Sequence, residues 1–303
     1  MSSNLKGALL ALFSSGFSAL TLALVKFTSD QYHVVEILFF RQMILLIAVI
    51  PALASAFPAR LTTRHPGLHA LRLFCAFVAL LSSFWAASVL PLTTSTVLSF
   101  SKVFFVSLLA AAFLGEAIRL QRSLAILVGF IGVLIVVRPG TDGFASLYAL
   151  VALLGAFTGS IATTTIRRLT RTEHVATLMG YQAVFVGCLV TIPLFFVWKT
   201  PDLEGLLLMI SIGISSVIAQ YYGLTALKYA EAGIVACMAY VKLIYATLFG
   251  FLIFSSLPDV WTLTGAALII GASIFTMYRE ARAEKSPKEK AGRKKIQAED
   301  SIS

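Results

Sequence analysis

The sequence is poor in charged residues. Only 13% of its 303 residues are Asp, Glu, Lys or Arg, whereas 58% are hydrophobic and the mean hydropathy is +0.90. A soluble domain carries about 25% charged residues, so a surface this apolar cannot stay hydrated. The composition excludes an ordinary soluble fold and predicts a protein whose outer surface faces lipid.

Histidine and cysteine are also scarce, and neither forms a catalytic or metal-binding pattern. His65 and His69 are four residues apart, but Pro66-Gly67 interrupts the helical spacing that a metal site needs. No HExxH motif, nucleophile elbow or phosphate loop is present, so we expect no enzyme activity, no cofactor and no metal site. The three cysteines lie in apolar runs and are expected to be buried thiols: Cys75, Cys188 and Cys237.

Long apolar runs separated by proline and glycine fill most of the chain. A helix of roughly 20 apolar residues crosses a bilayer about 30 Å thick. Runs of this length predict an all-α membrane protein of ten transmembrane helices, called spans here. Their expected starts are Leu5, Val34, Leu68, Thr93, Leu120, Phe144, Val175, Leu203, Ala232 and Asp259.

The basic residues give these spans an orientation. With the N-terminus in the cytoplasm, eighteen of the 24 basic residues fall in cytoplasmic segments, and outer loops hold only Lys26, Arg138 and Lys199. This asymmetry follows the positive-inside rule and predicts a multi-pass protein of the bacterial inner membrane with both termini cytoplasmic. The first span is longer than a signal-peptide core and is expected to be retained.

The two halves of the chain are alike. His33 and Arg41 of the second span correspond to His174 and Gln182 of the seventh, and Lys102 corresponds to Lys242 within one residue. Residues 1–140 and 141–279 are therefore predicted to be five-helix repeats, followed by a disordered basic tail over 280–303. Five is an odd number, so the repeats are inverted around a central cavity, an arrangement typical of alternating access. A duplication without transport is the alternative.

Several motifs resemble those of the EamA branch of the drug/metabolite transporter superfamily. They are Glu36 with Phe39-Phe40-Arg41 in the second span, Phe113-Leu114-Gly115-Glu116 ending the fourth, and the following Gln121. The resemblance implies a basket-like bundle with a central cavity and secondary transport of metabolites, often export of amino acids, although some members import cofactors. The proline common in the fourth span of that family is missing here, which puts any hinge at that point in doubt.

Two lysines fall in the middle of spans. A charged side chain at the bilayer centre costs roughly 2.5–3.5 kcal/mol, so Lys102 in the fourth span and Lys242 in the ninth should face the protein interior. No acidic residue is predicted at the same depth. The pair therefore favours an anionic or zwitterionic ligand, with a structural ion pair as the alternative.

Other polar and aromatic side chains share the predicted interior. Ser99 lies one turn from Lys102, Tyr245 lies three residues from Lys242, and Gln220 and Trp85 could bind a solute by hydrogen bonds or stacking. Arg41 fits either a structural role or the mouth of the cavity. Separately, Gly155 and Gly159 form a GxxxG motif, which indicates close helix packing within the bundle, with dimerisation as the weaker alternative.

The sequence as a whole predicts a secondary carrier that exports a small amino-acid-derived or carboxylate-bearing metabolite, including opine-type metallophores. Uptake of a cofactor-like nutrient, of the S-adenosylmethionine or riboflavin type, is the first alternative, and a non-transporting membrane subunit is the second. The expected partners are the small-molecule substrate and membrane lipid, not nucleic acid, in a monomer or homodimer. Proton coupling needs an ionisable group in the membrane, which only the lysines supply unless Glu36 or Glu116 turns inward.

Overall fold

The computed structural model describes residues 3–54, 66–114, 120–137, 143–169, 173–230 and 232–275. Glu116, the tail and several loop arginines used in the charge count lie outside these residues. All regular secondary structure within the described ranges is helical. The prediction of an all-α chain is confirmed.

Each of the ten predicted starts lies within two residues of the beginning of a helix, and one further helix begins inside the fourth predicted span. In chain order the helices are α1 (Ser3–Thr28), α2 (Val34–Ala54), α3 (Pro66–Val89), α4 (Leu92–Ser99), α5 (Lys102–Leu114), α6 (Leu120–Val137), α7 (Gly143–Leu169), α8 (Val175–Val197), α9 (Leu203–Tyr229), α10 (Ala232–Phe254) and α11 (Val260–Phe275). The end of the bundle that holds the α1–α2 turn is called the outer end below, following the predicted orientation.

Most of these helices have the length and surface of membrane spans. Six described helices are long and apolar enough to cross a bilayer, and four shorter apolar helices accompany them. Large apolar side chains are exposed on the outside of the bundle, among them Phe195 and Phe196, which are 81% and 86% exposed. Such exposure is unfavourable in water and favourable in lipid, so the chain is a multi-pass membrane protein.

The fourth predicted span is two helices rather than one. α4 ends at Ser99 and α5 begins at Lys102. Between them the Phe100 and Ser101 N–H groups donate to carbonyls only three residues back, at 3.1 Å each. Hydroxyl groups on α4 donate to carbonyls of the same helix, as Ser99 Oγ does to the Thr96 carbonyl at 2.6 Å, and such bonds bend helices. The span is therefore interrupted at its centre without a proline.

Helix contacts follow a paired pattern. α1 packs along α9 as α7 packs along α3, and α2 crosses α8. The GxxxG motif lies in the α3–α7 contact, where a Cβ built on Gly155 would lie 3.1 Å from Ser82 Cβ and one on Gly159 would lie 3.6 Å from Ala79 Cβ. The motif brings two helices of one bundle together, as predicted.

Two details of the sequence interpretation need correction. Arg72, which the charge count placed among the basic residues of the cytoplasmic segments, lies in the second turn of α3 and is fully buried against the bundle. Cys188 was expected to be buried but is exposed on the bundle surface, whereas Cys75 is buried as predicted. An apolar thiol meets no penalty in lipid, so an apolar run does not distinguish core from lipid-facing positions.

Candidate functional site

The two predicted interior lysines approach each other in the bundle. Lys102 is the first residue of α5, directly after the break in the fourth span, and Lys242 lies midway along α10. Both side chains are half-buried, and the two positive charges are close enough to repel. The aliphatic part of Lys102 runs past α7, with Cδ and Cε 3.9 Å from a Cβ built on Gly159. The small residue at that position leaves room for the lysine.

A network of arginine and glutamine side chains joins α2, α8 and α9. Arg41 is 4% exposed and donates from Nε to Ser216 Oγ, from Nη1 to Gln42 Oε1 at 2.7 Å and from Nη2 to Gln220 Oε1 at 3.1 Å. Gln220 and Gln182 exchange two hydrogen bonds of 3.3 Å. Each of the three guanidinium nitrogens thus donates a hydrogen bond. The structure places Arg41 inside the bundle.

A second arginine extends this network toward the inner end. Arg72 Nη2 donates to the Leu178 carbonyl at 3.1 Å and to Gln182 Oε1 at 3.4 Å. Its Nε and Nη1 are buried and have no hydrogen-bond partner. Gln182 therefore stands between the two arginines, Arg72 on one side and, through Gln220, Arg41 on the other. This polar layer gives the centre of the bundle a positive potential.

Buried carboxylates lie at the two ends of the described bundle rather than beside the lysines. At the inner end Glu173 Oε2 is 2.6 Å from His69 Nε2. At the outer end Glu36 is fully buried. The remaining acidic residues in the described ranges are exposed at helix ends or turns. The absence of acid at mid-depth, expected from the sequence, holds for the part of the chain that the structure describes.

The outer end is closed by contacts between the α1–α2 and α8–α9 turns. Tyr32 Oη donates to Asp202 Oδ1 at 2.8 Å, and Lys199 Nζ donates to the Gln31 carbonyl at 3.1 Å. Asp202 also caps α9 by accepting from the Gly205 N–H at 2.8 Å. The Gly205 N–H and then the Tyr32 hydroxyl hold the pKa of the Asp202 carboxyl below its usual value.

The other predicted site residues are spread over the bundle. Tyr245 is half-buried on α10 and its ring packs against Gly16 of α1, with Cε2 and Cζ 3.4 Å from a Cβ built there. Ser99 is half-buried at the break in the fourth span. Trp85 is 40% exposed near the outer end, where its ring meets that of His33 edge-on at 6.2 Å. The structure gathers Lys102, Lys242 and Ser99 near the centre and leaves Trp85 at the rim.

Sequence reasoning missed half of the polar network. Gln42 and Gln182 were not selected, although both are amides inside predicted spans, and Arg72 was counted only as a basic residue of a cytoplasmic segment. A signal was available, because Gln182 is the repeat counterpart of Arg41. A buried amide in a membrane span needs a hydrogen-bond partner, and the repeat identifies the side chain that could supply it.

Comparison with known proteins identifies the family. The model of the EamA-like transporter family matches this chain twice, over residues 5–138 and 146–278. The chain belongs to the EamA-like transporter family. It is therefore a transporter and not an enzyme. A solved crystal structure shares the fold of this EamA-like chain, with a TM-score of 0.66 at 17% identity over 93% of this chain and 99% of the other.

Characterised relatives of this EamA-like chain move different solutes. It is 31% identical to the S-adenosylmethionine uptake transporter of Rickettsia bellii over 85% of this chain and 88% of the relative. It is 33% identical to the pseudopaline exporter of Pseudomonas aeruginosa (88% and 94%) and 30% identical to the riboflavin transporter of Brucella anthropi (82% and 89%). These relatives share small-molecule transport and differ in substrate and direction.

Proposed function

We propose that the chain is a secondary carrier of the bacterial inner membrane that exports a small carboxylate-bearing metabolite by alternating access. The observation that carries the substrate class is the approach of Lys102 and Lys242 at the centre of the bundle. Two like charges in a medium of low dielectric constant repel each other. A carboxylate or other anion between them relieves the repulsion, so the pair favours anionic and zwitterionic solutes over cations.

The inverted repeat is the second part of the proposal. The two family matches cover residues 5–138 and 146–278 and support a division of the chain near residue 140. α1 and α3 are the first and third helices of the proposed first repeat, and α7 and α9 are those of the second. α1 contacts α9 and α3 contacts α7, so each of these helices packs against the other repeat, as expected for an inverted pair. Lys102 and Lys242 then reach the centre from opposite repeats. Mirror-related conformations of similar energy follow from this arrangement.

The relatives include an uptake transporter and an exporter. The positive charge of the site favours the kind of substrate that the exporter is named for. S-adenosylmethionine carries a sulfonium cation, which the two lysines would repel. An exported metabolite with several carboxylates, such as an opine-type metallophore, suits the same charges. Uptake of a cofactor-like nutrient remains the second candidate, because an uptake transporter is among the relatives.

The function is tested with purified protein in proteoliposomes. Counterflow is measured for pseudopaline, S-adenosylmethionine and riboflavin, the compounds that the relatives are named for. The wild type is expected to exchange the compound with the most carboxylates fastest. Lys102→Gln and Lys242→Gln should each reduce that exchange at least about tenfold, which corresponds to about 1.4 kcal/mol of lost binding.

Lys228→Gln is the matched control, because Lys228 is exposed at the inner end of α9. It should leave exchange unchanged. The proposed substrate class is wrong if both central lysine variants exchange an anionic compound at the wild-type rate. Faster exchange of S-adenosylmethionine than of any anion would favour the uptake alternative.

A further inference from the structure

Glu36 is a buried carboxyl group in the membrane part of the protein, and its oxygens lack a hydrogen bond of normal geometry. It is the third residue of α2, its residue is 0% exposed, and neither Oε1 nor Oε2 has a partner. Carboxylates buried in proteins are almost always paired or hydrogen-bonded, because an unsolvated charge is strongly unfavourable. This exception needs an explanation that packing alone does not give.

We propose that Glu36 binds the proton that couples transport, holding it when the outer end is closed and releasing it when that end opens. The proposal rests on the proposed carrier function and adds its driving ion. A neutral carboxylic acid satisfies the observed burial, since it has no charge to solvate. Once water reaches the group, the ionised form becomes favourable at neutral pH.

The charged and titratable groups around Glu36 do not remove the need for a proton. Tyr32 of the α1–α2 turn and Lys199 of the α8–α9 turn interact electrostatically with Glu36. Asp202 accepts a hydrogen bond from Tyr32, and His33 precedes Glu36 by one turn. The backbone N–H of Lys199 approaches the Glu36 carboxyl group and favours its ionised form, as does the Lys199 ammonium. The ammonium, however, is on an exposed side chain and already donates to the Gln31 carbonyl. Solvent therefore screens it.

The remaining neighbouring elements contribute little charge. Lys26 near the end of α1 donates to the Leu90 carbonyl at 2.9 Å. The outer half of α3, over residues 78–89, contains no charged residue. The N-terminus of α2 favours an anion, but a helix dipole compensates only a small part of the cost of burying a charge. The protonated form is left as the one that fits the closed state.

The cover over Glu36 is the contact that must break for the outer end to open. Tyr32, two residues before the start of α2 and 5% exposed, lies within electrostatic range of Glu36 and donates to Asp202 across the two turns. Glu36 is only one turn from the exposed turn residues. Separation of the α1–α2 turn from the α8–α9 turn would break the Tyr32–Asp202 bond and bring water to the carboxyl group.

The first test measures the proton itself and needs no substrate. Infrared difference spectra of the purified protein are recorded between about pH 6 and about pH 9, where ordinary carboxyl groups stay ionised. The wild type should show the carbonyl band of a protonated carboxylic acid that disappears as pH rises. Glu36→Gln should lack that band, whereas the control Glu204→Gln, which changes an exposed acid on α9, should keep it.

The second test measures coupling in proteoliposomes with the compound that the counterflow assay selects. A one-unit pH gradient coupled to one proton supports about tenfold accumulation. The wild type and Glu204→Gln should reach that value. Glu36→Gln should accumulate nothing above equilibrium while its counterflow stays within about twofold of the wild type.

The proposal is overturned if the infrared band is absent from the wild type or persists in Glu36→Gln, or if Glu36→Gln accumulates solute like the wild type. The infrared result stands even if none of the three compounds is transported. Failure of the carrier function and failure of the proton site are therefore distinguished.

Discussion

At the scale of single residues, the polar centre is organised by Arg41 and by its repeat counterpart Gln182. Arg41 binds three acceptors on α2 and α9, and Gln182 joins Gln220 to Arg72. A planar guanidinium offers its donors in a fixed fork, which an ammonium cannot reproduce. The network thus fixes how α2, α8 and α9 meet, whereas the two central lysines are half-buried and lie outside it.

Arg41→Lys should therefore destabilise the protein more than the loss of one acceptor does. We expect Arg41→Lys to cost about 2 to 3 kcal/mol, because one ammonium cannot serve all three acceptors of the guanidinium and buried polar groups lose their hydrogen bonds. Ser216→Ala, which removes one hydroxyl, should cost about 0.6 kcal/mol, the average for such bonds in membrane bundles. Unfolding of both variants in mixed micelles measures the difference, and equal costs would mean that the fork geometry does not matter.

At the scale of helices, composition and charge predicted the elements well because the bilayer imposes one length on every span. Each predicted span begins within two residues of its expected position. The break after Ser99 could not be predicted in the same way. It comes from hydroxyl groups that bond to carbonyls of their own helix and from local packing, whereas the sequence rule associates a break with proline.

It was harder to predict which side chains, distant in sequence, meet in the site. The repeat predicted that Lys102 and Lys242 share the interior, because symmetry relates two positions without knowledge of packing. Arg72 and Trp85 show the limit of that reasoning, since helix rotation and the depth of each helix end decide whether a side chain is buried. Neither quantity follows from hydropathy alone.

The contact between α6 and α11 gives a prediction at this scale. A Cβ on Gly132 would lie 2.9 Å from the Gly265 carbonyl oxygen, so backbone must move to admit alanine there. Gly132→Ala should destabilise the protein by about 1 to 3 kcal/mol. Gly271→Ala is the matched control, because a Cβ there meets nothing within 4 Å and should stabilise α11 by up to about 1 kcal/mol. Thermal unfolding in detergent compares them, and two stabilised variants would contradict the described contact.

At the scale of the whole molecule, paired helix contacts surround a positively charged centre. The α1–α9 and α3–α7 contacts bring the proposed repeats together, and the fourth span is interrupted directly before one of the two lysines. A bundle with these features can open to either side by small movements of one repeat against the other. Its outer end is closed through Tyr32 and Asp202 in the structure described.

The central claim, access to the lysine site from both sides of the membrane, is tested most directly by thiol labelling. Ser99→Cys is made in a variant whose three native cysteines are replaced by serine, and an impermeant thiol reagent is applied to right-side-out and to inverted vesicles. The account predicts labelling from both sides, with Phe195→Cys on the lipid-facing surface left unlabelled. Labelling of position 99 from one side only, or from neither side, would contradict it.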